Sequence, residues 1–177
     1  MAWLARPFLD AFERRYDYNV DYLREVAGTS MSGFVRFSCA SMMSNYHQGV
    51  PLEAWFAAKI VGARHEDCGP CVQLVVRMAE EAGVSPKVLR AIIEGNDDAL
   101  TPDAALGLAY ARSVLERDLM ASDQFRTEVR ERWGDEALLS LAFALTSARL
   151  FPTLKYALGH GRSCSRVVVS GEELHTG

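Results

Sequence analysis

Helix signals recur along almost the whole of this chain, and they limit the folds that it can adopt. The clearest one is the stretch Thr101-Pro102-Asp103. It combines a hydroxyl that can cap a helix, a proline at the first helical position and an acid near the positive end of the helix dipole. Apolar residues then repeat at intervals of three and four, beginning at Leu106 and continuing through Tyr110. This spacing is typical of an amphipathic helix, so the stretch predicts one here.

Similar signals predict a single compact all-α domain of about eight helices over residues 1–160, followed by a tail over residues 161–177. The expected helical segments are 7–15, 18–27, 31–47, 52–63, 72–82, 86–94, 102–114, 123–133 and 135–150. Thr29 and Ser30 are suited to cap the third segment, and Pro152 should kink or end the last one. In the tail, only residues 166–169 are typical of a strand, and we expect no local partner for it.

Composition and charge narrow the classes of function. Of the 177 residues 49% are hydrophobic and 24% are charged, a balance typical of a globular protein. The net charge is -4 and no basic block occurs, which argues against nucleic acid as a partner. The most apolar run, residues 138–148, is shorter than the ~20 residues that a membrane span needs. No secretion signal is recognisable at the start, so we expect a cytoplasmic protein without a membrane anchor.

Two cysteines separated by Gly69-Pro70 form the strongest chemical motif. A proline is tolerated in the first turn of a helix, so Cys68 should lie at the start of a helix and Cys71 one turn inside it. Both sulfurs would then share a face, where the helix dipole can lower a thiol pKa from ~8.5 towards neutrality. Three interpretations stay open: a redox pair, part of a metal site, or two inert buried thiols. A second pair with this spacing, typical of structural zinc sites, does not occur.

The residues just before the pair are candidates for proton transfer. Glu66 and Asp67 would raise a thiol pKa by their charge, or accept its proton if the geometry allows. Asp67 is equally suited to cap the following helix. His65 can donate to a thiolate as imidazolium, although binding the last carbonyls of the preceding helix is the simpler expectation.

Two longer stretches, together with the cysteine pair, resemble a known family. They are "ALTPDAALGLAYARSVLERD" (residues 99–118) and "WGDEALLSLAFALTSARLFPTLKYALG" (residues 133–159). Over roughly residues 50–160 the chain resembles the alkyl hydroperoxidase D-like branch of the carboxymuconolactone decarboxylase-like family. The resemblance implies a helical fold that assembles as dimers, trimers or hexamers through helical faces. It also implies hydroperoxide reduction without a cofactor, in which Cys71 attacks, Cys68 resolves and an external thiol restores the dithiol.

The chain departs from that family where the family places its proton relay. The family carries a histidine four residues beyond the second cysteine, where this chain has Val75. The family also carries a glutamate about a dozen residues before the first cysteine, which corresponds here to the region of Phe56. We therefore predict a thiol-disulfide oxidoreductase that uses Cys68 and Cys71, with Glu66 and His65 as candidate helpers and no metal. Its substrate would be a hydroperoxide or a protein disulfide. The alternatives are a non-catalytic helical oligomer with structural cysteines and a metal-binding module.

Three other residues have simpler interpretations. Cys39 lies among small residues and is expected to be a core thiol. His160 lies between two glycines, with Cys164 four residues further on, and a surface turn is the default expectation for this segment. The helix over residues 135–150 is apolar around most of its circumference, so we expect it to be buried, in part at a contact between subunits.

Overall fold

The computed structural model describes residue 3 and residues 5–161 and 166–175, without the side chain of residue 175. In these ranges nine α-helices and one two-stranded sheet form a single domain, which confirms the predicted all-α fold. The helices are α1 Arg6–Tyr16, α2 Asp21–Thr29, α3 Met31–Ser41, α4 Leu52–His65, α5 Gly69–Glu81, α6 Pro86–Glu94, α7 Pro102–Glu116, α8 Leu119–Trp133 and α9 Asp135–Ala157. The strands are β1 Arg166–Val169 and β2 Glu172–His175, and short 3-10 turns cover Met42–Asn45 and Asp97–Ala99.

Capping residues explain where several helices begin. The hydroxyl of Thr101 accepts a hydrogen bond from the backbone N–H of Ala104, and Ser30 caps α3 in the same way, as predicted. The Asp118 carboxylate caps α8 by accepting from Ala121 N. Because this cap satisfies a donor that would otherwise lack a partner, α8 begins four residues earlier than the sequence pattern indicated.

The third helix is shorter than predicted, because a buried lysine binds the chain that follows it. α3 ends at Ser41, where a 3-10 turn replaces the expected continuation to residue 47. Lys59 of α4 donates from Nζ to the carbonyl oxygen of Ser44, at 2.5 Å. This carbonyl lies near the end of the 3-10 turn. The Lys59 ammonium also lies 3.6 Å from the centre of the Trp55 ring, and burial lowers its pKa to about 7.

The last helix is longer than the predicted 135–150, and it does not end at Pro152. α9 continues through this proline to Ala157. A proline in a helix removes one backbone hydrogen bond, but Pro152 and Lys155 are both buried in the protein interior. In addition, the Thr153 hydroxyl donates to the carbonyl of Arg149, at 2.7 Å, and so satisfies one carbonyl near the interruption. Tertiary packing therefore keeps the segment helical beyond the proline.

α4 lies at the centre of the domain. It packs against α5, α7 and α9. Seven consecutive residues, 54–60, are buried, so the helix is surrounded rather than buried along one stripe as its spacing suggested. The approach of α7 is especially close, because a Cβ atom placed on Gly107 would lie 2.5 Å from the carbonyl oxygen of Ala54. Only a glycine permits this contact between two helix backbones.

The tail contains a hairpin, so the expectation of a strand without a local partner is wrong. β1 pairs with β2 in antiparallel register through a turn at Ser170 and Gly171, both of which have positive φ. Two such residues in succession are typical of the tight turns that match the twist of a hairpin. The side chain of Gln73 on α5 makes hydrogen bonds to both the N–H and the carbonyl of Val168. The hairpin buries Val167, Val169 and Leu174.

α9 combines length with an incompletely buried apolar surface. Among the described residues it is the single helix that is long and apolar enough to cross a membrane, by length and composition only. Core helices of globular proteins meet the same test. Of the residues in the apolar stretch of α9, 39% are buried within one chain, and Leu139 on this helix remains 43% exposed.

The contact between α4 and α7 predicts opposite effects for two glycine substitutions. We expect Gly107→Ala to lower the free energy of unfolding by about 3 kcal/mol, because the added methyl group must separate two helix backbones. Gly28→Ala is the control, since a Cβ atom there meets no atom within 4 Å. It should raise the stability by about 0.5 kcal/mol through the better helix propensity of alanine. Urea denaturation followed by circular dichroism measures both, and equal effects would contradict the proposed close packing.

Candidate redox site

The cysteine pair lies at the entry of α5, as the motif predicted. Cys68 is the N-cap residue of this helix and Cys71 is its third residue, with Pro70 in the first turn. The N–H of Cys71 donates to the carbonyl of Cys68 at 2.9 Å, which closes the turn between them. The two sulfurs are joined in a disulfide, and the Cα atoms are 5.2 Å apart, within the usual range for such a bond.

Both sulfurs are enclosed by the protein. Cys68 is 1% exposed and Cys71 is 4% exposed. The hydroxyl of Tyr18 lies 3.6 Å from Cys71 Sγ, and this oxygen accepts a hydrogen bond from Nζ of Lys155 at 3.2 Å. Tyr18 and Lys155 are themselves 4% and 5% exposed. A buried chain of polar groups therefore leads from a lysine to the sulfur inside the first turn of α5.

Three separate parts of the chain supply these groups. Tyr18 lies in the connection between α1 and α2, directly after Asp17, whose positive φ ends α1 in a left-handed turn. The Arg77 guanidinium on α5 donates to the backbone carbonyls of Tyr16 and Asp17, so it ties this connection to the helix that carries the cysteines. Lys155 comes from the part of α9 beyond the proline. The unexpected extension of α9 is therefore needed to complete the site.

Burial controls the ionisation of the aromatic hydroxyls. It raises the pKa of Tyr18 to about 12, against an opposing effect of the neighbouring Tyr22 hydroxyl. Burial also raises the pKa of Tyr22, helped by the neighbouring Tyr18 side chain. The Lys155 ammonium lies 4.4 Å from the centre of the Tyr18 ring and 5.2 Å from that of Tyr22. At neutral pH Tyr18 is therefore a neutral hydrogen-bond donor beside the sulfur.

Glu66 lies two residues before Cys68 in the sequence, but its carboxylate binds a residue of α9. Arg149 of α9 donates from Nε to Glu66 Oε1 at 2.6 Å. The Glu66 side chain is 19% exposed and that of Arg149 is 43% exposed. This ion pair compensates the negative charge that would otherwise oppose a thiolate, and it fixes the end of α4 against α9. Proton transfer by Glu66 stays a prediction.

Asp67 does not cap α5, since the helix has no side-chain cap and Cys68 occupies the N-cap position. Asp67 instead adopts a left-handed backbone conformation with φ of 49°. Its carbonyl accepts a hydrogen bond from the Tyr156 hydroxyl at 2.7 Å. The residue therefore turns the chain from α4 into α5, and α9 holds that turn in place.

His65 ends α4 and faces a different region. It is exposed and lines a cleft with Arg64, Arg112 and Glu116, among other residues. In the part of the chain that the structure describes, His65 makes no hydrogen bond to either sulfur and none to the last carbonyls of α4. A role for His65 in proton transfer stays a prediction.

The two positions that correspond to the family's proton relay carry apolar side chains, Val75 and Phe56, and both are buried.

Cys39 is exposed, so the prediction of a core thiol is wrong. The reason is that α3 lies on the surface and buries none of its residues. His160 is bound to Glu25, with 2.6 Å between Nε2 and Oε2, at the surface, as expected of this turn. Cys164 lies outside the described residues.

No group of three or more histidine, cysteine or acidic side chains that could hold a metal ion occurs among the residues described. The sequence did not predict Tyr18 and Lys155, which form the buried polar chain beside Cys71. Lys155 carries a weak signal, because a lone lysine in an apolar helix often has a buried partner. Tyr18 carries none: the sequence pattern places it at the start of a helix over residues 18–27, whereas in the structure it lies in the connection before α2.

Comparison with known proteins identifies no relative: no family model, no curated protein and no solved structure matches this chain. The family resemblance therefore stays a prediction.

The site predicts a reversible disulfide between Cys68 and Cys71 in solution. Mild oxidation of the reduced protein should remove two hydrogen atoms from a single peptide that contains both residues, as judged by mass spectrometry. Cys39→Ser is the control and should leave this change intact, because Cys39 is an exposed thiol elsewhere on the surface. Disulfides found only between chains, or only through Cys39 or Cys164, would contradict the prediction.

Proposed function

We propose that this protein is a thiol-disulfide oxidoreductase that reduces hydroperoxides with Cys68 and Cys71. The observation that carries the proposal is the position of the pair. The two sulfurs are at bonding distance where α5 begins, and a buried hydroxyl lies 3.6 Å from Cys71 Sγ. A helix N-terminus and a hydrogen-bond donor both stabilise a thiolate. The thiolate is the form of cysteine that attacks peroxides and disulfides.

The reaction proceeds in three balanced steps. The Cys71 thiolate attacks the terminal oxygen of a hydroperoxide, and the O–O bond breaks. The alkoxide leaves and takes up a proton. The sulfur of Cys71 is now a sulfenic acid, and Cys68 attacks it to form the disulfide with release of water. A small external dithiol then exchanges with the disulfide and becomes oxidised in its place. Two electrons pass from the dithiol to the peroxide in each cycle.

The burial of the pair favours a small oxidant over a protein disulfide. Cys71 is 4% exposed, and a disulfide on a folded partner could approach its sulfur only after the surrounding side chains had moved. Hydrogen peroxide or a short organic hydroperoxide needs much less space. The same argument favours a small dithiol as the reductant.

The first alternative is a structural disulfide in a non-catalytic protein. Burial alone is compatible with it, because small buried cysteines often pack as apolar residues. The buried Lys155–Tyr18 pair next to Cys71 favours the redox function, since a purely structural disulfide has no need of a donor beside its sulfur. The second alternative, a metal-binding module, would need ligands beyond the two cysteines.

Peroxide consumption with dithiothreitol as reductant tests the proposed roles. Cys71→Ser should abolish activity, because a serine hydroxyl cannot replace the thiolate. Cys68→Ser should block turnover after the first oxidation, and Glu66→Gln should lower the rate by about tenfold, less than a full general-acid contribution. Cys39→Ser is the matched control and should keep the parental rate.

Two results of that assay would change the assignment. If Cys71→Ser remained active while Cys68→Ser were inactive, Cys68 would be the attacking residue. If the parental protein consumed no more peroxide than the buffer, the peroxidase function would be wrong, and a structural disulfide would become the better explanation.

We also propose that the protein is a homo-oligomer with α9 at the contact. Leu139, Phe143, Leu150 and Ala157 recur on one side of this helix at intervals of four and seven, and they remain at least partly exposed. Phe37 of α3 borders a surface groove together with Leu150 and Ala157. An apolar helix face of this length is stabilised when a second copy covers it.

Light scattering at micromolar concentration should therefore give a mass that is a multiple of one chain. Leu139→Glu should shift the protein to the monomer, because it places a charge in the proposed contact. Val168→Glu is the control, since Val168 is similarly exposed, at 39%, but lies on the hairpin. A parental mass near that of one chain would contradict the proposal.

A further inference from the structure

The cysteine motif alone does not explain why Tyr18 and Lys155 are buried beside Cys71. We infer that Tyr18 is a catalytic hydrogen-bond donor that stabilises the Cys71 thiolate, and that Lys155 is the positioning residue that directs this donor. The inference rests on the proposed use of Cys71 as a thiolate. It goes further by naming the groups that select Cys71 over Cys68.

The hydrogen bonds around Tyr18 define the direction of its proton. Its oxygen accepts from Lys155 Nζ at 3.2 Å. A phenolic hydroxyl has one hydrogen to donate. With Lys155 donating to its oxygen, that hydrogen is left for Cys71 Sγ, 3.6 Å away.

The disulfide state supports the same direction. A sulfur in a disulfide carries no hydrogen, so Tyr18 has to be the donor in its contact with Cys71. When the disulfide is reduced, the same hydrogen faces a thiolate, and hydrogen bonds to an ionised acceptor are roughly twice as strong as those between neutral groups. The donor is therefore already in position before the charge on sulfur appears.

The other charged groups near the pair do not oppose this arrangement. Glu66 is paired with Arg149 at 2.6 Å, and Asp67 is exposed to solvent. The ammonium of Lys155 lies within the protein, at 5% exposure, over the rings of both tyrosines. A hydrogen bond from Lys155 to the Tyr18 oxygen polarises its O–H group and makes it a stronger donor to the sulfur. Lys155 acts on the sulfur through Tyr18, whereas Tyr18 contacts the reacting atom directly.

The pH dependence of alkylation tests the inference without any peroxide. The reduced protein is treated with iodoacetamide at a series of pH values, in a Cys68→Ser background, and modification of Cys71 is followed by peptide mass spectrometry. In the parent the midpoint should lie below the ~8.5 of a free thiol. Tyr18→Phe and Lys155→Met should each raise the midpoint by about one pH unit, because each removes an interaction with the thiolate.

Two comparisons separate this role from a structural one. Tyr156→Phe is the matched control: its hydroxyl binds the carbonyl of Asp67 beside the pair rather than a sulfur, so the midpoint should not change. The double variant Tyr18→Phe/Lys155→Met should shift the midpoint by clearly less than the sum of the single shifts, because Lys155 acts through Tyr18. Circular dichroism establishes that each variant is folded.

A parental midpoint at or above that of a free thiol would overturn the inference, whatever the variants do. Unchanged midpoints in both folded single variants would overturn it as well. If Tyr18→Phe fails to fold, the shift in Lys155→Met decides. A low midpoint that depends on Tyr18, in a protein that consumes no peroxide, would refute the proposed peroxidase function and leave the assignment of these two residues intact.

Discussion

The complete burial of α4 is the constraint on which the rest of this structure depends. Residues 54–60 are buried one after another, so helices must cover every side of this segment. α5, α7 and α9 do so, and the contact of Gly107 with the backbone of Ala54 lets α7 approach closely. Because α4 ends directly before the cysteine pair, the packing that buries α4 also fixes the point where the chain turns into α5. The position of the disulfide is thus a consequence of the core.

The same core brings together groups that are far apart in the chain. Lys155 and Tyr18 are separated by 137 positions in sequence, yet they form a buried hydrogen bond beside Cys71. A buried ammonium is costly unless neighbouring groups accept its hydrogen bonds and share its charge. The hydroxyl and ring of Tyr18 supply both interactions. Retaining such a lysine costs stability that an apolar residue would not cost. The proposed role of Lys155 beside the sulfur would account for its presence.

Local sequence signals predicted the helices and the position of the cysteine pair. Tertiary contacts determine the length of α9, the second strand and the position of Tyr18. Thr101 and Ser30 act on donors within one turn of themselves, so their caps could be predicted from a few residues. The length of α9 could not, because Pro152 argues for an end and only burial outweighs it. The second strand was missed for a similar reason: Glu172-Glu173-Leu174 has little strand character, and its pairing depends on the turn and on docking against α6. For the site, the spacing of Cys68 and Cys71 was sufficient to predict the disulfide geometry, but nothing local pointed to Tyr18.

The inferred roles of Tyr18 and Lys155 have a consequence for the direction of electron flow. A hydrogen bond from Tyr18 that stabilises the Cys71 thiolate acts mainly on the reduced protein, because a disulfide sulfur is a weak acceptor without charge. Stabilising the reduced form makes a disulfide easier to reduce. The buried network would therefore assist both halves of the cycle, since it activates Cys71 towards the peroxide and then favours return of the dithiol. A disulfide that served only to hold α5 in place would gain nothing from such a network, because any group that favours the thiolate weakens the bond that it would have to maintain.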